Sequence, residues 1–187
     1  MKRIHFGPGC GILLALRLVA MPQPLHAAAL QVVPGESRVE YHIDHTVAAV
    51  TDVAGPASGT AQVDSAGQLV AGQVDVDLRG LQTGNTKRDH HIKSAEYLDV
   101  EQFPLARFTL RGAPVAGDSV QATGTLELHG ETHALHVPLR VTHDGARLHV
   151  EGRFRFALAD WGIKRPKKLV FAAGKTVDVR LDLLFEP

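Results

Sequence analysis

From Val39 onward the chain alternates apolar and polar residues so regularly that little other than a strand-built fold can satisfy it. Val39, Tyr41 and Ile43 alternate with Arg38, Glu40 and His42, and Val74, Val76 and Leu78 alternate with Gln73, Asp75 and Asp77. The same phase returns at Ala106, Phe108 and Leu110, and at Val120, Ala122, Gly124, Leu126 and Leu128. It continues at Leu135, Val137, Leu139 and Val141, then from Leu148 and Val150 through Gly152, Phe154, Phe156 and Leu158. It ends at Val177, Val179, Leu181, Leu183 and Phe185. Successive side chains on a strand point to opposite faces, so each run has one face for a core and one for water.

Turn-forming clusters separate the runs: Ser65-Ala66-Gly67, Ala116-Gly117-Asp118, His129-Gly130-Glu131 and His143-Asp144-Gly145. With a weaker strand over Gly59 to Val63, this predicts an all-β fold of about eight strands. Consecutive strands joined by short turns pair antiparallel, so the predicted architecture is an eight-stranded up-and-down barrel. Closure removes exposed strand edges; a two-sheet sandwich is the competing arrangement. One segment breaks the pattern. Thr86-Lys87-Arg88-Asp89 fits a capping box and predicts a short helical insertion around residues 86–99, over one end of the barrel.

The start of the chain reads differently. Lys2 and Arg3, an apolar run from Gly11 to Met21, and Ala27-Ala28-Ala29 follow the order of a secretory signal peptide. The expected organisation is therefore a leader over 1–29 and one barrel domain over 30–187. The apolar run is far shorter than the ~18–20 residues that span a bilayer. Cys10 belongs to the leader, so the remaining domain has no cysteine for a disulfide and depends on burial. Without Lys2, Arg3 and Arg17 the balance is 17 basic against 20 acidic residues, which gives no footprint for nucleic acid.

Several motifs together resemble the YceI family. They are Thr83-Gly84-Asn85, the run Arg88-Asp89-His90-His91-Ile92-Lys93-Ser94-Ala95-Glu96-Tyr97-Leu98-Asp99-Val100, and Phe103-Pro104 with Phe108. The stretch from Gly124 to Thr132 resembles the family's Gly-x-Leu-Thr-Ile-x-Gly-Val-Thr, and Asp160-Trp161-Gly162-Ile163 its Asp-Phe-Gly-Ile turn. The chain departs from the family where His45-Thr46 leads into Val47-Ala48-Ala49-Val50, and where Glu131 replaces a usual valine. The resemblance implies a lipocalin-like barrel, export to the periplasm, and a polyisoprenoid or similar long amphiphile in the lumen.

On that expectation the ligand-binding wall comprises Phe108, Leu110, Leu126, Leu128, Val137, Leu139, Val150, Phe154, Phe156, Val179, Leu181 and Leu183, with Arg88 meeting the head group. Apolar side chains of this kind take a hydrocarbon chain out of water at ~25 cal/mol per Å², and a guanidinium suits phosphate or a polarised carbonyl. Taken on the residues alone, the same side chains better suit a barrel filled by its own core, the usual fate of an apolar strand face. Lys164-Arg165-Pro166-Lys167-Lys168 is a basic loop suited to anionic lipid or to solvent. His129, His133 and His136 cluster at one hairpin, but convergent ring nitrogens are needed for a metal site, and no metal or cofactor is expected. No Gly-x-Ser-x-Gly, His-Glu-x-x-His or phosphate loop is present, so no catalytic residue is assigned. The reading is a periplasmic carrier of an isoprenoid-type lipid, such as a polyprenyl or quinone-like molecule, with transient membrane contact. The alternatives are an accessory protein of a membrane redox complex, or a histidine-based metal-binding module.

Overall fold

The computed structural model describes residues 28–45, 50–113, 115–116, 119–165, 167–168 and 171–187. Residues 1–27 of the expected leader lie outside these. Among the described residues twelve strands are formed: β1 (Ala28–Val32), β2 (Arg38–His45), β3 (Val50–Val53), β4 (Ala57–Val63), β5 (Leu69–Asp77), β6 (Leu105–Gly112), β7 (Val115–Ala116), β8 (Ser119–Leu128), β9 (Glu131–Asp144), β10 (Arg147–Ala157), β11 (Lys167–Lys168) and β12 (Phe171–Glu186). One α-helix, α1 (Thr86–Lys93), lies between β5 and β6.

These strands make eight staves in up-and-down order, closed into an antiparallel barrel. β1 and β2 form one stave, bent by the 3-10 turn Pro34–Glu36, and both run along β12. Val33 N–H donates to Leu184 O across the bend (2.8 Å), so pairing with β12 continues where Pro34 has no N–H to give. β3 and β4 form the second stave, paired with β2 and β1 respectively. β5, β6, β8, β9 and β10 follow in order, and β12 closes the ring on β10 and β1.

The predicted topology therefore stands, with two additions. β1 starts at Ala28, so Ala28 and Ala29 of the expected leader pair with Val63 and Gln62. β3 is a strand that the alternation did not announce. The β8–β9 hairpin shows how local chemistry sets register. His129 (φ 52°) and Gly130 (φ 79°) are both left-handed, as a tight two-residue turn between twisted strands demands, and Leu128 stands opposite Glu131.

The helical insertion is present, but its start is built differently from the capping box expected at Thr86 and Asp89. Asn85 is the N-cap, its side chain accepting from Arg88 N–H (3.1 Å). Asp89 turns back instead and accepts from Thr83 N–H (2.9 Å) and from the Thr83 hydroxyl. Thr86 is thereby the first residue of the helix rather than its cap. After α1 the chain runs through turns to Pro104, pinned by Leu98 N–H on Ile92 O and Val100 N–H on Lys93 O (both 3.1 Å).

Inward-facing residues of the staves are filled unequally along the axis. Near the β9–β10 turn, Leu148 is completely buried (0 % exposed) beside Phe185, its partner on β12, and Val32, and Ala122 further along on β8 is equally closed off. Towards α1, the inward residues Phe108, Phe154, Phe156, Val179 and Leu181 are only half-buried. One end is a packed floor, and the other is hollow.

Candidate functional site: the barrel lumen

The hollow end is a cavity of about 360 Å³, walled by inward side chains of all eight staves and roofed by α1 and the turns after it. The structure places Phe108, Leu110, Leu126, Leu128, Val137, Leu139, Val150, Phe154, Phe156, Val179, Leu181, Leu183 and Arg88 on its wall. Their common phase on successive strands brings them together. The backbone of Gly124 helps to make room. A Cβ there would meet Thr109 O at 2.3 Å and the Phe108 ring at 2.8 Å, so only glycine lets that ring lie against β8. Ile92, His91, Tyr97 and Leu98 form the roof, and the His91 and Tyr97 rings pack edge-on with centroids 4.7 Å apart.

Polar groups gather where the roof meets β2 and β3. Gln82 bridges to Val53, which holds the start of the helical insertion over β3. Tyr41 stands opposite Asp52 on the adjoining strand, and both line the cavity with Arg88. Arg88 Nη2 lies 4.0 Å from Asp52 Oδ1, a carboxylate that is only 8 % exposed, and donates to Thr83 O. Arg88 Nε is buried without a hydrogen-bond partner, and the buried Tyr41 hydroxyl faces the Asp52 carboxylate. Burial above all, and then the neighbouring Asp52 charge, push the Tyr41 pKa far above the ordinary phenol value, so this hydroxyl remains a proton donor. Burial also works to raise Asp89, but the two hydrogen bonds from Thr83 outweigh it and hold that carboxyl below its usual range.

Tyr41 was visible in the alternating phase of β2, but nothing gave it a role. Asp52 carried no signal, because β3 is short and its stretch has no clean period. The roof residues were visible only as an insertion. The three hairpin histidines do not converge: His129 Nδ1 lies 3.0 Å from Trp161 O, His133 packs on the Trp161 ring (4.8 Å), and His136 is exposed on the outer phase. Among the described residues no group of three His, Cys, Asp or Glu side chains is placed to hold a metal ion. Trp161 is 3 % exposed and packs against Phe156 as part of the core.

A closed eight-stranded meander with an apolar lumen and a short helical roof is a lipocalin-type barrel. The profile of the YceI-like domain matches residues 30–185, and the chain belongs to that family. It is 31% identical over 137 residues to a UPF0312 protein of Pseudomonas syringae pv. tomato, covering 68% of each chain. It is 33% identical over 72 residues to Protein YceI of Salmonella arizonae, covering 38% of each. Its fold is similar to BcnA of Burkholderia cenocepacia (TM-score 0.73, 17% identity, 82% of this chain and 98% of that one). It is also similar to a polyisoprenoid binding domain from Saccharophagus degradans (TM-score 0.67, 20% identity, 86% of this chain and 99% of that one).

Proposed function

We propose that this protein is a periplasmic carrier that holds one long isoprenoid-type lipid, polyprenyl or quinone-like, in the barrel lumen. The observation that carries the reading is the cavity itself: inward apolar side chains of every stave surround open space instead of meeting. Burying a hydrocarbon chain there gains ~0.8 kcal/mol per CH₂, and a cavity with few polar groups fixes only the orientation of the guest. The structural neighbour described as a polyisoprenoid binding domain supports the chemistry of the guest. The residues proposed to touch it are the twelve apolar wall residues named above, with Arg88 at the head. The basic-apolar-small order of residues 1–29 supports export. Loading and release imply brief contact of the roofed end with a bilayer, where Lys164 stands exposed at the rim of the cavity. The role is binding rather than catalysis.

Native mass spectrometry of protein purified from cells without denaturation tests this. The expected spectrum shows the polypeptide plus one hydrophobic mass, released on unfolding and extractable into organic solvent. A bare polypeptide that also fails to take up prenyl lipid from added vesicles would overturn the carrier.

A further inference from the structure

We infer that Lys164, Arg165, Lys167, Lys168 and Lys175 dock the hollow end of the barrel onto an anionic lipid bilayer. The inference rests on the carrier reading and adds the surface, and the class of membrane lipid, through which the guest is exchanged.

The first observation is position. Ile163 and Lys164 line the cavity where the chain leaves the 3-10 turn Leu158–Trp161, and Val177 lines it on β12. Between them β11 pairs with Phe171 and Ala172 at the start of β12, which sets Lys167 and Lys168 at the same end of the barrel. Lys164 and Lys175 are exposed, and among the described residues neither has a carboxylate within ion-pair distance. The second observation is local charge. The stretch from Ile163 to Val177 holds these five basic residues and no acidic one. Asp44 near the end of β2 and Asp160 on the 3-10 turn are the carboxylates of the adjoining elements, and the cations outnumber them. The rest of the roof is balanced: Arg79, Lys87, Arg88 and Lys93 share residues 78–104 with Asp89, Glu96, Asp99 and Glu101.

The third observation is the charge elsewhere. Outside this stretch and the expected leader, twelve basic residues stand against twenty acidic ones. At the floor, Arg147 is held by Glu36 (3.4 Å) and Glu186 (3.1 Å), and Asp64 and Asp144 lie at the neighbouring strand ends. An anionic surface therefore attracts one end of the molecule and repels the remainder, which turns the hollow end towards the bilayer. A guest dissolved among lipid tails then meets the lumen instead of the packed floor.

The test is flotation of the purified protein with vesicles of phosphatidylcholine, alone or with phosphatidylglycerol added. Wild type is expected to float with the anionic vesicles only. It should be released as salt rises from ~0.05 to ~0.5 M, which shortens the reach of surface charge. Each cation near an anionic surface shifts the partition about fivefold, so Lys167→Gln/Lys168→Gln/Lys175→Gln should weaken it about a hundredfold. Arg111→Gln/Arg140→Gln/Arg153→Gln makes the same change of net charge on the outer wall and should stay within about threefold of wild type. Equal losses in the two triple variants, with thermal midpoints preserved, would overturn the assignment to these five cations. So would wild-type protein that floats equally with both kinds of vesicle or with neither, including one captured by an acidic protein instead. The hydrophobic mass in the native spectrum of the same preparation decides the carrier separately: if it is present while flotation fails, the docking surface falls and the carrier stands.

Discussion

The two ends of the barrel are made from the same alternating strands, and they are filled differently. Along β10, Leu148 at the floor has no exposed surface, while Phe154 and Phe156 near the roof, in the same inward phase, are half-buried around open space. At the floor, β1 and the last residues of β12 bring Leu30, Val32 and Phe185 inward against Leu148 and Val63, and their volumes meet. At the other end the wall aromatics lie along the strands. Phe154 and Phe156 are nearly parallel, at 27° with centroids 6.2 Å apart, and Phe108 lies against Gly124. Stability and function are thereby separated along one axis: the floor holds the ring together, and the hollow end receives the guest.

The sharpest way to break this comparison is to cut the floor. Leu148→Ala is expected to cost about 2–5 kcal/mol, the range for a fully buried leucine that leaves a cavity. It should lower the thermal midpoint strongly while the fraction still folded binds lipid with unchanged affinity. Urea denaturation together with lipid titration of the folded fraction checks both. A variant that keeps its stability but loses lipid would reverse the roles of the two ends.

Adding volume is the complementary experiment, with a smaller effect. Ala122 on β8 and Ala106 on the lumen wall are both inward alanines, the first fully buried and away from the cavity, the second partly exposed to it. Ala122→Leu has nowhere to place its new methylenes and should cost about 1–3 kcal/mol. Ala106→Leu has the cavity to grow into, so its stability should stay near wild type while its capacity for a long chain falls. Equal destabilisation at the two sites would mean that the lumen has no room beside Ala106.

The inward phase of the strands was legible in the sequence, but the hollow was not. Alternation places Leu148 and Phe154 on the same face without saying which one meets a neighbour across the ring. That depends on which staves converge at each height. β1 was hidden because Ala28 and Ala29 read as the end of a leader, and β3 because Val50-Thr51-Asp52-Val53 has no period that separates it from a loop. Of the polar cluster, Arg88 was legible from its motif and Asp52 was not, since its role exists only after Gln82 bridges to Val53 and sets the roof over β3. The capping box failed by competition: Asn85 sits one residue earlier, and its carboxamide reaches Arg88 N–H, releasing Asp89 to bind Thr83.

Acid should act on the roof through that last contact. The Asp89 carboxyl has its pKa held below the usual value of 3.8 in the folded chain. A carboxyl depressed by folding contributes stability above its unfolded pKa and loses that contribution as pH falls through the folded one. The difference in thermal midpoint between wild type and Asp89→Asn should be constant near neutrality and shrink towards zero as the pH falls below about 4. A difference that grows on acidification would place the origin of the effect elsewhere.

The smallest effect is expected on the outer surface, which both ends share. Arg153 is exposed on β10 between Gly152 and Phe154, both in the inward phase, and stands directly opposite Arg180 of β12. Like charges facing each other across strands repel, weakly where solvent screens them. Arg153→Ala should therefore change stability by no more than about 0.5 kcal/mol, towards a gain if anything, and leave lipid affinity untouched. Because its neighbours on both sides belong to the inward phase, and Phe154 lines the cavity, this substitution separates the two faces of a single strand. A loss of lipid binding at Arg153 would mean that the outer face takes part in loading, and that the division between wall and surface does not follow the strand's alternation.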